Sequence, residues 1–359
     1  MTKKIFAISL LILAMIILSS MMPLHGSPTE IKEEQEKRQQ QHLAYATPTI
    51  TPTPPSSPSS SSIPNTADFN FAVAGDWGCT ADTSTTVKDI QNKHPELVLA
   101  LGDLSYQNTG NCWLDETSSI NNKLKIVMGN HDSGKGYPTL LQAQYKNHFG
   151  LSNTYYSFDD HNVHFIAMDS NLPYTIDSPQ YSFVKRDLIS TSQNPNIKWI
   201  IVYFHHPMYT SPSKHPADIL LRDTYHPLFD QYGVDLVLQG HNHNYQRSYP
   251  LTYNNNSNAN TSPNPTITPA NTNTYNNPRG EVYVIAGTGG EDLYNLKSKS
   301  DFIATQYKGF GFLNVDISSD GTKLIGTFYA NGDGSVKDTF TITKSDTPES
   351  IPLKRTNLP

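Results

Sequence analysis

Five apolar runs of five or six residues each end in a short polar cluster, and this repetition limits what the chain can fold into. Phe69–Ala74 runs into Gly75-Asp76-Trp77-Gly78, and Leu97–Leu101 into Gly102-Asp103-Leu104-Ser105-Tyr106. Leu124–Met128 runs into Gly129-Asn130-His131-Asp132, Trp199–Phe204 into His205-His206-Pro207, and Val234–Gln239 into Gly240-His241-Asn242-His243. The runs are rich in Val, Ile, Leu and Phe, the pattern of short buried strands. In open α/β sheets the loops at the carboxyl ends of neighbouring strands converge on one crevice. Clusters far apart in sequence are therefore expected to meet in space. The glycines let the backbone turn sharply and approach a ligand.

Val163–Met168 reads as a further strand, and Ser84–Lys93, Thr139–Phe149, Gln180–Ser190 and Ala217–Tyr232 as helices. After Arg279, Val282–Ala286, Phe312–Ile317, Lys323–Tyr329 and Thr339–Thr343 read as strands without long helices between them. This order predicts an α/β domain over residues 67–345: two packed sheets, a β-sandwich, flanked by helices in α/β/β/α layers. The Asn-, Thr-, Ser- and Pro-rich stretch 254–278 is expected to be a solvated surface insertion. It holds N-x-S/T triplets at Asn255 and Asn260, acceptors for glycosylation only in a host with that machinery.

Lys3 and Lys4 precede an apolar run from Ile5 to Met22, followed by small and polar residues. Residues 1–26 are expected to be a secretory signal peptide or a retained N-terminal membrane anchor. Both place the rest of the chain outside the cytoplasm, secreted or extracytoplasmic. Residues 27–66 turn charged and Gln-rich and then Pro/Ser/Thr-rich, so a disordered linker is expected there, as is a flexible tail over 346–359. A net charge of −6 does not favour a nucleic-acid partner. In an oxidising compartment the two cysteines, Cys79 and Cys112, form a disulfide candidate, with two unpaired thiols as the alternative. Nothing in the sequence fixes the oligomeric state.

A Gly-Asp pair after a strand is by itself an ordinary turn, and a lone His at a strand end an ordinary surface or core residue. The joint occurrence points to a metal site. Carboxylate and phenolate oxygens suit a hard ion such as Fe(III), and imidazole with an amide oxygen suits Zn, Fe(II) or Mn. No cysteine stands in the five clusters, which disfavours a thiolate zinc site. Seven donors (Asp76, Asp103, Tyr106, Asn130, His205, His241 and His243) exceed one tetrahedral site and fit two ions sharing a carboxylate. Two ions about 4 Å apart bind a phosphoester, activate water and stabilise the leaving oxygen.

These clusters resemble the calcineurin-like metallophosphoesterase superfamily, and within it the purple acid phosphatases. The family pattern GDxG, GDxxY, GNH(D/E), VxxH and GHxH is matched in all five places, the fourth by Val202-Tyr203-Phe204-His205. The resemblance runs from about Phe69 to Thr343, and GHNHNYQRS and EVYVIAGTGG also look like that family. It implies that Asp76, Tyr106 and His243 hold Fe(III), that Asp103 bridges, and that Asn130, His205 and His241 hold a divalent Fe, Zn or Mn ion. His131 and His215 would lie in the substrate pocket, as donors to the phosphate or to the leaving group. Asp132 would orient His131 or its loop, and His206 would pack or cap its turn. The implied activity is that of an exported acid phosphatase in which a metal-bound hydroxide attacks small phosphomonoesters, with an acid optimum because Fe(III) strongly acidifies water. A phosphodiesterase or nucleotide hydrolase on the same site, or a surface binding protein without catalysis, are the alternatives. Many plant-type members carry an extra β-sandwich domain before the catalytic one. Here that place holds the signal and linker, so a single-domain member is expected.

Overall fold

Alternation along strand β1 (Phe69–Ala74) sets the layers. Phe71 and Val73 point into one apolar core and Ala72 and Ala74 into another. The computed structural model describes residues 68–133, 139–254, 265–268 and 272–345. The expected signal or anchor, the 27–66 linker, the tail over 346–359 and the triplet residues Asn255 and Asn260 lie outside the described residues.

After β1 come α1 (Ala81–Asn92), β2 (Leu97–Ala100), α2 (Asn111–Glu116), β3 (Leu124–Ile126), the short α3 (Asn130–Ser133) and α4 (Thr139–His148). The chain continues through β4 (Tyr156–Asp160), β5 (Val163–Ala167), α5 (Pro179–Thr191), β6 (Trp199–Tyr203), α6 (Ile219–Tyr232), β7 (Leu236–Gln239) and β8 (Tyr245–Thr252). It ends with β9 (Thr266–Ile267), β10 (Thr274–Asn276), β11 (Glu281–Ala286), β12 (Ile303–Tyr307), β13 (Gly311–Ile317), β14 (Lys323–Ala330) and β15 (Val336–Thr343). One sheet has the order β10-β15-β14-β13-β1-β2-β3, the other β12-β8-β11-β7-β6-β5-β4, with β9 pairing β8. β1, β2 and β3 run parallel, as do β5, β6, β7 and β11.

The largest core lies between the sheets, where Phe71, Leu99 and Leu313 share one cluster with Phe165, Ile201 and Leu238. On the outer face of the first sheet, Val87 and Ile90 of α1, Trp113 of α2 and Tyr145 of α4 cover Ala72, Val98 and Ala100. On the outer face of the second, Val184 and Leu188 of α5 and Leu221 and Phe229 of α6 cover Ile166, Val202 and Val237. These are the expected α/β/β/α layers.

The helix starts have local causes. Thr80, Ser178 and Asp218 cap α1, α5 and α6 by accepting from the N–H of Thr83, Tyr181 and Leu221. α6 stops at Gly233, whose φ of 69° is left-handed.

Strands β4, β8 and β12 and helix α2 were not expected. β8 hides its apolar alternation behind Gln246, Arg247 and Ser248, all buried. Arg247 is satisfied by both oxygens of Asp338 on β15, at 2.6 and 2.8 Å, and by the Tyr275 hydroxyl. Tyr275 belongs to the stretch expected to be solvated, yet it is 1% exposed. The stretch is tied down at two points: β9 pairs β8 at Leu251↔Ile267, and β10 pairs β15 at Tyr275↔Ile342. The structure closes the Cys79–Cys112 disulfide, with Cα atoms 5.9 Å apart, joining the loop after β1 to α2.

Candidate metal centre

The parallel strands of both sheets present their carboxyl ends at one edge. There the loops after β1, β2 and β3 meet those after β6 and β7. Backbone bonds stitch the meeting point: Asp76 N–H to Gly102 O at 3.0 Å, Gly75 N–H to Ala286 O at 2.8 Å, and Gly240 N–H to His205 O at 3.0 Å. A side chain at Gly129 would place its Cβ 2.0 Å from Asp103 Oδ1, and one at Gly287 would lie 2.6 Å from Asp76 Oδ2. The loops approach this closely only because glycine stands there.

All seven predicted donors converge. The Tyr106 hydroxyl lies 3.2 Å from Asp76 Oδ1, 3.2 Å from Asp103 Oδ2 and 2.9 Å from His243 Nε2. His205 Nε2 lies 3.2 Å each from Asp103 Oδ2, Asn130 Oδ1 and His241 Nδ1. Two donor sets thus share one oxygen, Asp103 Oδ2. Four of the seven donors, Asp76, Asp103, Tyr106 and His241, have left-handed backbones with φ of 57°, 51°, 54° and 69°.

The surrounding bonds fix which atoms face inward. His205 Nδ1 donates to Leu101 O at 2.9 Å and His243 Nδ1 to Asp292 O at 2.6 Å, which turns both Nε2 lone pairs to the centre. His205 Nε2, Asn130 Oδ1 and Asp103 Oδ2 are then three acceptors facing one another, an arrangement that a cation relieves. The donor set fits two metal ions. Burial, followed by Asp103 and Asp76, pushes the Tyr106 phenol well above its ordinary value. Metal uptake on Tyr106 therefore releases a proton. Burial opposes a charged His205, but Asp103 and then Asp76 raise its pKa to about 9. A metal ion at His205 Nε2 would displace this proton.

The family of calcineurin-like phosphoesterases matches residues 69–245, the stretch that carries every donor. Residues 69–245 are a calcineurin-like phosphoesterase domain. Around it, the chain is 26% identical over 270 residues to purple acid phosphatase 15 of Arabidopsis thaliana, covering 64% of this chain and 46% of the relative. It is 27% identical over 280 residues to a phosphoenolpyruvate phosphatase of Allium cepa, covering 70% and 56%. The chain thus spans about half the length of the curated relatives it matches. In fold, it superposes on a purple acid phosphatase from yellow lupin (Lupinus luteus) seeds with a TM-score of 0.64 and 21% identity, over 78% of this chain and 54% of that one.

The other predicted residues of the phosphoesterase domain fall into distinct places. His131 borders the centre: its ring lies 4.4 Å from that of Tyr106, its Nε2 lies 4.0 Å from Asp103 Oδ2, and a third of its side chain is exposed. His215 reaches the opposite side, its ring 4.3 Å from that of His241. Asn242 holds the His215 backbone from both sides, at 3.1 and 3.0 Å. His206 is buried against Ser170 at 2.8 Å, as expected of a packing residue. Asp132 is fully buried and accepts from the N–H groups of Leu104 at 3.0 Å and Gly129 at 2.8 Å. It clamps two donor loops together, including the one that carries His131.

Tyr294 was not anticipated. Its ring stacks on His243 at 3.8 Å and 13°, and Lys214 Nζ lies 4.2 Å above it. It comes from a loop without strand or helix. Its place just beyond the Gly287–Gly290 run, which itself abuts Asp76, is the one signal that would have drawn attention to it.

Proposed function

We propose that the phosphoesterase domain hydrolyses phosphomonoesters as a dinuclear-metal acid phosphatase working outside the cytoplasm. The observation that carries this reading is Asp103 Oδ2, which stands 3.2 Å from both the Tyr106 hydroxyl and His205 Nε2 and so belongs to both donor sets. Asp76, Tyr106 and His243 would hold Fe(III), and Asn130, His205 and His241 a divalent Fe, Zn or Mn ion. When bound, such a pair supplies Lewis acidity toward the phosphate and acidifies water. The chain's own residues do the rest. Tyr294 covers the ring of His243 and keeps water from it. His131, about a third exposed beside Asn130, would bond a phosphate oxygen or give a proton to the leaving oxygen. His215 is placed to do the same from the side of His241. The Cys79–Cys112 bridge supports export, since such bonds persist in oxidising compartments, and the apolar run from Ile5 to Met22 supplies an address.

Initial rates of the metal-loaded full chain on an aromatic phosphomonoester, from acid to alkaline pH, test this. An acid optimum is expected. Asp103→Ala should lose both ions and about a thousandfold or more in rate. Faster turnover of diesters than of monoesters would replace the reading with a phosphodiesterase. Metal-loaded protein inert on both would leave a binding protein.

A further inference from the structure

A second concentration of ligand-type side chains lies between α6 and the first residue of β11. His226 Nε2 faces three oxygens: Glu281 Oε2 at 3.0 Å, the Leu251 carbonyl at 3.3 Å and Asp230 Oδ1 at 3.6 Å. His226 and Glu281 are fully buried, and the Asp230 side chain is a quarter exposed. The other ring nitrogen, Nδ1, bonds the Tyr209 hydroxyl at 2.8 Å. With its proton there, the ring turns a lone pair toward three acceptors. With the proton on Nε2 instead, one N–H serves one oxygen well and leaves the others. Glu281 Oε1 and Asp230 Oδ1 are in fact buried with no hydrogen-bond partner. Leaving a buried carboxylate oxygen unpaired is costly. The buried guanidinium on the same helix, Arg222, is already paired with Asp223 at 2.7 Å.

The spacing has a simple meaning. Ligands about 2.0–2.1 Å from a tetrahedral zinc ion lie about 3.3–3.4 Å from one another. The contacts of 3.0 to 3.6 Å around His226 Nε2 bracket that value. The donors of the dinuclear centre show the same spacing, 2.9 to 3.3 Å. We propose that His226 Nε2, Asp230 Oδ1, the Glu281 carboxylate and the Leu251 carbonyl bind a third, structural metal ion, a divalent ion of the zinc type. The mixture of one imidazole and three oxygens suits such an ion. Tyr209, which orients the His226 ring, lies on the loop between His205 and His215. The third ion would therefore brace the far side of that loop.

The test is a metal count. Full-length protein is stripped with chelator, dialysed against excess Zn(II) and assayed by mass spectrometry beside Asp230→Ala and Glu281→Gln. Wild type should exceed each variant by one equivalent, and crystals of wild type should show a zinc anomalous peak between His226 Nε2 and Glu281. Asp230→Ala, part-exposed and outside the donor set of the dinuclear centre, should fold and keep its rate on an aromatic phosphomonoester. Equal metal counts in all three proteins, or zinc-saturated wild-type crystals without that peak, would overturn the proposal. The anomalous map needs no variant to fold. Neither readout depends on turnover, so the third site and the phosphatase reading fail separately.

Discussion

Asp76, Asp103, Tyr106 and His241 share a backbone conformation that side chains seldom adopt. Each such residue costs about 1–3 kcal/mol and persists only where its surroundings enforce it. Here the enforcement is partly glycine, which lets neighbouring loops press against the donors. Gly129→Ala should therefore displace Asp103 and lower turnover about a hundredfold or more, while circular dichroism stays native. Near-normal rates in that variant would show that the loop can shift without cost to the centre. All seven donors were legible in the sequence because their chemistry is written in residue type and position after a strand. Tyr294 was not, because its role is a stack made through space by a loop with no periodic pattern. For Asp132, read as orienting His131 or its loop, the sequence did not name the partners, since the two N–H groups it accepts from come from separate loops.

Among elements, the buried strands that end at the metal centre were legible from their apolar runs, with boundaries off by one or two residues. The missed ones explain themselves physically. β4 (Tyr156–Asp160) is an edge strand without a fully buried residue, so it lacks an apolar face to detect. β8 buries polar residues that pair with β15 and β10, so its alternation is chemical satisfaction and not hydropathy. α2 spans six residues, too few for a helical period, and is held by the disulfide. The edge strand β4 also yields a pH prediction. Buried His164 of β5 bonds Asp159 of β4 at 2.5 Å and Asp187 of α5 at 2.8 Å. Burial disfavours the charged ring, but Asp159 and then Asp187 outweigh it and raise the pKa from 6.5 to about 9. A raised pKa means stability fully present below the unfolded value and lost as pH rises through the folded one. The melting-temperature gap between wild type and His164→Gln should be widest near about pH 6 and close as pH rises through 9. A gap that stays flat across that range would mean the ring is not charged.

At the scale of the whole molecule, the Cys79–Cys112 bridge spans 33 residues and ties down the loops that carry Asp76 and Tyr106. In the chain-entropy treatment, opening it should lower unfolding free energy by about 3–4 kcal/mol, readable as a shifted denaturant midpoint for reduced and alkylated protein. An unchanged midpoint would mean that local packing alone holds those loops. The metal centre has a wider meaning. Asp76 and Tyr106 come from one sheet and His243 from the other; Asn130 comes from the first and His205 with His241 from the second. In the proposed assignment neither sheet owns a complete binding place for either ion. Metal capture is thus a certificate of finished assembly: a chain cut or stalled before Gly240 would hold oxygen donors and one imidazole at best, and would stay empty as well as inactive. Once seated, each ion would act as a rivet through both layers, so chelation should loosen the sandwich itself and not only stop the chemistry.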